Sequence, residues 1–195
     1  MSKTLVITGA SRGIGFAMVQ HATQAGHRVY ALSRTIQSLK KSDLLYPYAI
    51  DLTDENAIAD FANELKQQGV QIDALVNNAG ALENKPFSET TTAIFESVYR
   101  VNVFGLASLT RLLLPLIDLK GQVLNISSIG GVDGSSKFPG LAAYSSSKGA
   151  VNILTELLAE EYKATGPAFN ALALGAVQTE MLAQAFPGFK APVSA

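Results

Sequence analysis

The chain contains no cysteine, so disulfide staples and thiolate metal sites are excluded. Histidine is almost as scarce. The only two, His21 and His27, fall near a first helix and a second strand, where surface or edge positions are expected and no metal role is assigned. Long hydrophobic runs are also missing. The longest, Ala171 to Val177, has seven residues, whereas a membrane-spanning helix needs about 20. The apolar stretch Leu5-Val6-Ile7 is too short for the core of a secretion signal and leads straight into a glycine turn. A cytoplasmic location is therefore expected. Charge of either sign is sparse and balanced, with 15 basic and 16 acidic residues and a net charge of −1. No basic block exists that would follow a phosphate backbone, so no nucleic-acid partner is expected, and none in a membrane.

What remains is hydrophobic: 48% of the 195 residues, enough for one domain around a sizeable core. Short apolar runs alternate with longer amphipathic stretches. The runs predict strands at Thr4–Thr8, Arg28–Leu32, Tyr48–Asp51, Ala74–Asn77, Val123–Ser127 and Phe169–Leu174. Between them the pattern predicts helices at Ile14–Ala25, Glu55–Gln68, Thr91–Ile117 and Tyr144–Ala164. The stretch Arg34–Tyr46 reads as a short helix plus loop. Thr53 and Asp54 are cap candidates for the second helix, and Gly69 lies just past its end. Alternating β and α units with right-handed crossovers make a single doubly wound, Rossmann-type α/β domain over residues 1–195. Its mostly parallel sheet should have about six strands in the order 3-2-1-4-5-6, flanked by helices.

Three local features carry chemistry. The first is Thr8-Gly9-Ala10-Ser11-Arg12-Gly13-Ile14-Gly15, between the first strand and the first helix. Glycines permit a tight turn and a close approach of backbone to a pyrophosphate, and the helix start offers free N–H groups. The spacing is G-x-x-x-G-x-G rather than the more common G-x-G-x-x-G. The second is the Ser127-Ser128 pair at the end of the fifth strand. The third is Tyr144 with Lys148, four residues apart and so on one helix face. An ammonium beside the phenol would favour phenolate and lower the tyrosine pKa from roughly 10, which suits proton transfer.

Together with Asn77-Asn78-Ala79-Gly80 after the fourth strand and Asn102 in the long helix, these motifs resemble the short-chain dehydrogenase/reductase family. They occur in the family's order from residue 4 to about 181. The resemblance implies that Asn102, Ser128, Tyr144 and Lys148 form a catalytic tetrad. Tyr144 would be the proton donor in reduction and base in oxidation. Ser128, the second serine of the pair, would hydrogen-bond the carbonyl oxygen, because side chains alternate along a strand and Ser127 points elsewhere. Lys148 would lower the Tyr144 pKa and hold the nicotinamide ribose, and Asn102 would hold a water linking Lys148 to solvent. Gly9, Ser11, Arg12, Gly13, Ile14 and Gly15 would cradle the cofactor's phosphates. Asp51 would contact the adenine amino group and Leu52 its ring plane. Asn78, Ala79 and Gly80 would line the adenosine side. In Leu174-Gly175-Ala176-Val177-Gln178-Thr179, Gly175, Val177 and Thr179 would adjoin the nicotinamide carboxamide.

Cofactor choice has its own signal. Ser33-Arg34 follows the second strand, where an NAD site would place an acid on the ribose hydroxyls, and the nearest acid is Asp43. With Arg12 in the glycine turn, two guanidinium groups suit a 2′-phosphate. The expectation is NADP(H) over NAD(H).

The chain departs from the family pattern in three places. Ser128 and Tyr144 are sixteen positions apart, a little more than usual, and the polar stretch Asp133–Gly140 absorbs the difference as a loop expected to border the substrate. Leu174 replaces a proline, which should loosen the following loop. The chain also reads as short at its C-terminus, beyond which the resemblance implies a substrate-covering segment and a further strand. The reading is an NADP(H)-dependent oxidoreductase acting on a small-molecule carbonyl or alcohol substrate, with Leu82, Val132, Phe138, Leu141, Met181 and Phe186 as candidate pocket residues. The alternative is an NADP(H)-binding redox sensor without turnover. A homodimer or homotetramer is expected from the family and from the broad apolar face of the long helix.

Overall fold

The computed structural model describes residues 2–195. Six parallel strands, β1 (Thr4–Thr8), β2 (Arg28–Ser33), β3 (Leu45–Ala49), β4 (Ile72–Asn77), β5 (Ile117–Ser128) and β6 (Ala168–Leu174), form one sheet in the order β3-β2-β1-β4-β5-β6. The main helices are α1 (Gly13–Gln24), α2 (Glu55–Gln67), α3 (Thr92–Tyr99), α4 (Leu106–Leu113) and α5 (Ala142–Tyr162). A two-stranded parallel ribbon, β7 (Val177–Gln178) and β8 (Val193–Ser194), flanks the short α6 (Glu180–Ala185). No helix among the described residues is long and apolar enough to cross a membrane.

Alternation along each strand divides the core. Val6, Leu75 and Val123 turn toward one cluster with Phe61 and Leu65 of α2 and Leu109 and Leu113 of α4. Ile7, Val76 and Ile126 turn to the other, against Val19 and Ala22 of α1. Both faces are therefore buried, which is why the central strands read as continuous apolar runs. Asp54 caps α2 by accepting from the Asn56 and Ala57 backbones, as its position predicts.

The third strand begins three residues, and ends two residues, earlier than its hydrophobic pattern suggests. Leu45-Tyr46-Pro47-Tyr48-Ala49 is tolerated because β3 is an edge strand, where a missing N–H is harmless. Aromatic stacking of Tyr30 on Tyr46, at 5.1 Å between centroids, helps set its register. Asp51 consequently lies beyond the strand, and no helix forms in 34–44. The predicted helix Thr91–Ile117 is four pieces. α3 passes into a π-helical turn, Arg100–Gly105, before α4, and a short 3₁₀ turn containing Pro115 ends the run. β5 begins at Ile117, well before the expected Val123, through an irregular register opposite Ile72 and Ala74.

Candidate active site

The C-terminal ends of β1, β4 and β5 converge on one rim, and the chemistry-bearing residues lie there. At β1 the chain leaves through Gly9, whose φ of 65° is left-handed. Gly15, in the first turn of α1, faces the Gly9 carbonyl so closely that a Cβ there would sit 2.2 Å from that oxygen. The Asn78 side chain donates to the Thr8 and Gly9 carbonyls, while the Thr8 hydroxyl accepts from the Asn78 and Ala79 backbones. Thr8 and Asn78 thus lock the glycine turn to the end of β4. Arg12 gives α1 no side-chain cap, and the first turn holds no acidic residue. The N–H groups there are open to an anion, and the dipole favours one. This bare, glycine-walled helix start fits the pyrophosphate of a dinucleotide.

Ser11 reaches Ser33, with 2.8 Å between hydroxyl oxygens, and the Ser38 hydroxyl donates to the Ser11 carbonyl. The turn is therefore drawn to the end of β2, next to Arg34. Asp51 accepts from the backbone and hydroxyl of Thr53, and these bonds, aided by Arg34, hold its carboxyl below the usual range although burial opposes them. Leu52 is buried in the core. Arg12, expected to suit a 2′-phosphate, pairs its guanidinium with Glu180 at 2.9 Å.

At β5 the two serines separate as alternation requires. Ser127 is buried and its hydroxyl donates to the Lys148 carbonyl at 3.2 Å. Ser128 turns to the Tyr144 side and accepts from the Gly130 N–H. The 3₁₀ turn Ile129–Gly131 then packs directly on α5: a Cβ on Gly131 would come within 2.6 Å of the Lys148 carbonyl carbon and the Gly149 nitrogen. This contact and the Ser127 bond set the axial position of α5, and so of Tyr144 and Lys148, against Ser128.

Asn102 is fully buried in the π turn. Its Oδ1 accepts from the Ala81 N–H at 2.7 Å. Its Nδ2 donates to the Ala81 carbonyl and to the Ser147 hydroxyl, both at 2.9 Å. Ser147 in turn donates to the Tyr144 carbonyl. The Asn102 side chain is a clamp between the 78–81 loop and α5, with both amide hydrogens used by protein. A π turn, which rotates one residue out of α-helical phase, aims it there. A second buried ladder runs beneath: Asn77 donates to Thr110 and to Asn125, and Asn125 to Thr155, linking α4, β4, β5 and α5. Neither Ser147 nor this ladder was legible as functional in the sequence. The signal was available as isolated polar residues inside apolar runs, each of which needs a partner when buried.

Electrostatics departs from the simple Tyr/Lys picture. Lys148 is buried and donates to the Ile126 carbonyl at 2.7 Å, and burial brings its pKa down to about 8. Its Nζ lies 5.8 Å from the centre of the Tyr144 ring. The Tyr144 pKa is raised, not lowered: burial dominates, and the Ser128 hydroxyl only partly offsets it. Desolvation sets the direction of the Tyr144 shift, while the Lys148 ammonium donates to a backbone carbonyl. Gly80 stands at the same centre, since a Cβ there would meet Asn102 Oδ1 at 3.5 Å and Lys148 Nζ at 3.7 Å.

Val177 lies in β7, opposite Val193, and the Thr179 hydroxyl caps α6. Thr179 also faces Gly13, whose added Cβ would lie 3.3 Å from Thr179 Cγ2. Gly175 has open space around it. Of the candidate pocket residues, Leu141 belongs to the buried core, whereas Val132 and Phe138 are exposed. A cleft of about 860 Å³ lies between α5, the 130–133 turn and β6, and none of Asn102, Ser128, Tyr144 or Lys148 lines it. The chemistry therefore belongs to the strand-end rim, not to this cleft. No group of three or more metal-ligating side chains occurs among the described residues.

Comparison with known proteins places the fold among relatives of one family. The family described as short chain dehydrogenase matches residues 3–188. The 2-(R)-hydroxypropyl-CoM dehydrogenase of Xanthobacter autotrophicus is 34% identical over 196 aligned positions, covering 93% of this chain and 77% of that protein. Among solved structures, 4-hydroxyisoleucine dehydrogenase complexed with NADH superposes with a TM-score of 0.81 at 29% identity, over 94% of this chain and 79% of that one. ElxO with NADP bound gives a TM-score of 0.82 at 30% identity, over 94% and 77%.

Proposed function

Since the chain belongs to the short-chain dehydrogenase family, and is an oxidoreductase of alcohol or carbonyl groups using a nicotinamide cofactor, we propose that it is an NADP(H)-dependent enzyme whose proton donor and acceptor is Tyr144. The bound nicotinamide supplies or accepts the hydride. Everything else falls to residues of this chain. The glycine turn and the bare start of α1 bind the pyrophosphate, with Gly9, Ser11, Gly13, Ile14 and Gly15 forming its wall. Asn78, Ala79 and Gly80, with Asp51 and Leu52, border the adenosine, and Gly175, Val177 and Thr179 border the carboxamide. Ser33, Arg34 and Arg12 favour a 2′-phosphate, because no carboxylate follows β2 directly.

In the reductive direction the substrate carbonyl oxygen lies against Ser128 and Tyr144. As the carbonyl carbon gains a hydride, its oxygen becomes alkoxide and takes the phenolic proton of Tyr144. Ser128 donates to the same oxygen and strengthens as charge builds. Lys148 holds a positive charge near the resulting phenolate and replenishes the proton. Asn102 and Ser147 keep α5 in register with the 78–81 loop. The carrying observation is the joint placement of Ser128, Tyr144, Lys148 and Asn102, through direct contacts of β5, α5 and the π turn, on the rim that holds the glycine turn.

Oxidation of NADPH by purified protein, followed at the nicotinamide absorbance over a panel of aldehydes and ketones, tests the reading. Turnover with NADPH faster than with NADH, lost in Tyr144→Phe, is the expected result. Tight binding without turnover would instead indicate a redox sensor. The family setting supports a cytoplasmic enzyme working on a small molecule as a homodimer or homotetramer.

A further inference from the structure

Arg12 and Glu180 are 168 positions apart, yet their side chains form an ion pair at 2.9 Å, the Arg12 Nη1 donating to Glu180 Oε2. Two neighbouring contacts hold the same segments together. Thr179, which caps α6 through its own hydroxyl, packs on Gly13, and the Ala185 carbonyl at the far end of α6 accepts from Asn84. The first residue of α6 is thereby seated over the start of α1, and its carboxylate occupies the guanidinium of the glycine turn. Nearby, Asp51 is held down mainly by its bonds from Thr53, with only a minor contribution from Arg34. Of the two cations available to a 2′-phosphate, Arg12 is the one ion-paired with an acid of the chain itself.

We propose that Glu180 is a specificity-determining residue: it competes with the cofactor's 2′-phosphate for Arg12 and so sets how strongly the site prefers NADP(H) to NAD(H). This deepens the cofactor reading given above and rests on it. The physical argument is one of exchange. A phosphomonoester near neutral pH carries close to two negative charges and accepts charge-assisted bonds from guanidinium. To engage it, Arg12 must leave Glu180, or the phosphate must sit beside an uncompensated carboxylate. Either way part of the electrostatic gain is returned. A dinucleotide lacking the 2′-phosphate makes no such demand, so Glu180 narrows the margin between the two cofactors. Both partners are half-exposed, and solvent screening keeps the effect modest.

Calorimetric titration of NADPH and NADH into wild type, Glu180→Gln, Arg12→Gln and the double variant decides the matter. Glutamine keeps the shape and removes the charge. Glu180→Gln is expected to tighten NADPH by about two- to fivefold while leaving NADH within error. In the Arg12→Gln background NADPH should bind more weakly than to wild type, and the same Glu180→Gln substitution should relieve only the direct carboxylate–phosphate repulsion, again leaving NADH within error. A general loosening of α6 would move both cofactors together and leave their ratio unchanged. If wild type binds NADPH but Glu180→Gln leaves the ratio of the two affinities unchanged, the competition is overturned while the cofactor reading stands. If wild type binds neither cofactor, the cofactor reading fails and the competition with it.

Discussion

Asn102 donates to the Ser147 hydroxyl at 2.9 Å, one residue before Lys148, so a side chain in a π turn fixes the helix that carries the tyrosine and lysine. The same amide binds both backbone groups of Ala81. Asn102→Ala would leave the buried Ser147 hydroxyl and the two part-buried backbone groups of Ala81 without this partner. It is expected to destabilise the fold by about 1–3 kcal/mol and to reduce turnover through misplacement of α5. Ser147→Ala removes only one of these bonds and should cost less. Chemical unfolding of both variants, alongside kcat, checks the order. Equal stability of Asn102→Ala and wild type would show that water replaces the clamp at no cost.

Tyr144 is the group with no substitute on the rim. Removing its hydroxyl leaves the glycine turn and Lys148 intact. Tyr144→Phe should lower kcat by roughly 10² or more, as loss of a general acid does, with cofactor affinity little changed. Single-turnover kinetics on a substrate found by the carbonyl panel would read this directly. Retention of most of the rate would mean that proton delivery bypasses the phenol.

Much of this site was legible in the chain because its determinants are local. Glycine at 9, 13 and 15, the Ser127-Ser128 alternation and the four-residue step from Tyr144 to Lys148 each follow from backbone geometry within one element. The sheet order followed similarly from alternating elements and right-handed crossovers. What stayed hidden depends on partners far along the sequence. Pro47 sits inside β3 only because that strand is at the edge, and Arg12 is engaged only because Glu180 returns to it across 168 residues. The π turn at Arg100–Gly105 has no periodic signature, since its one extra residue per turn is indistinguishable from a dense apolar helix. The direction of the Tyr144 shift was missed for the same reason: spacing fixes that Lys148 is near, but burial and the Ile126 carbonyl decide what it does.

Gly15 is a steric requirement rather than a flexible joint. Any Cβ there collides with the Gly9 carbonyl at 2.2 Å and with the Asn78 amide at 2.6 Å. Gly15→Ala should therefore displace the turn and cost about 1–3 kcal/mol, despite the better helix propensity of alanine. NADPH binding should fall more steeply than stability, because the displaced backbone is what approaches the pyrophosphate. Comparing Tm with cofactor affinity in one variant separates the two effects. A variant of wild-type affinity would place the phosphates elsewhere.

Lys148 gives the fold a pH dependence of defined sign. Its folded pKa of about 8 lies below the ordinary 10.5, because the buried ammonium is poorly solvated. Between those values the unfolded chain holds a proton that the folded chain has released, so stability rises with pH across that window. Below about pH 8 both states are protonated, and burying the charge costs roughly 3 kcal/mol relative to the neutral amine. Tyr144 acts in the opposite sense at higher pH. Its raised pKa means that the unfolded phenol ionises first, above about 10, and stability then declines. Urea unfolding of wild type and Lys148→Met from pH 7.5 to 9.5 isolates the lysine. Wild type should gain about 2 kcal/mol on the variant over that range. A constant difference would mean that the bond to the Ile126 carbonyl keeps Lys148 fully charged, and that its proton is not available to replenish Tyr144 near neutral pH.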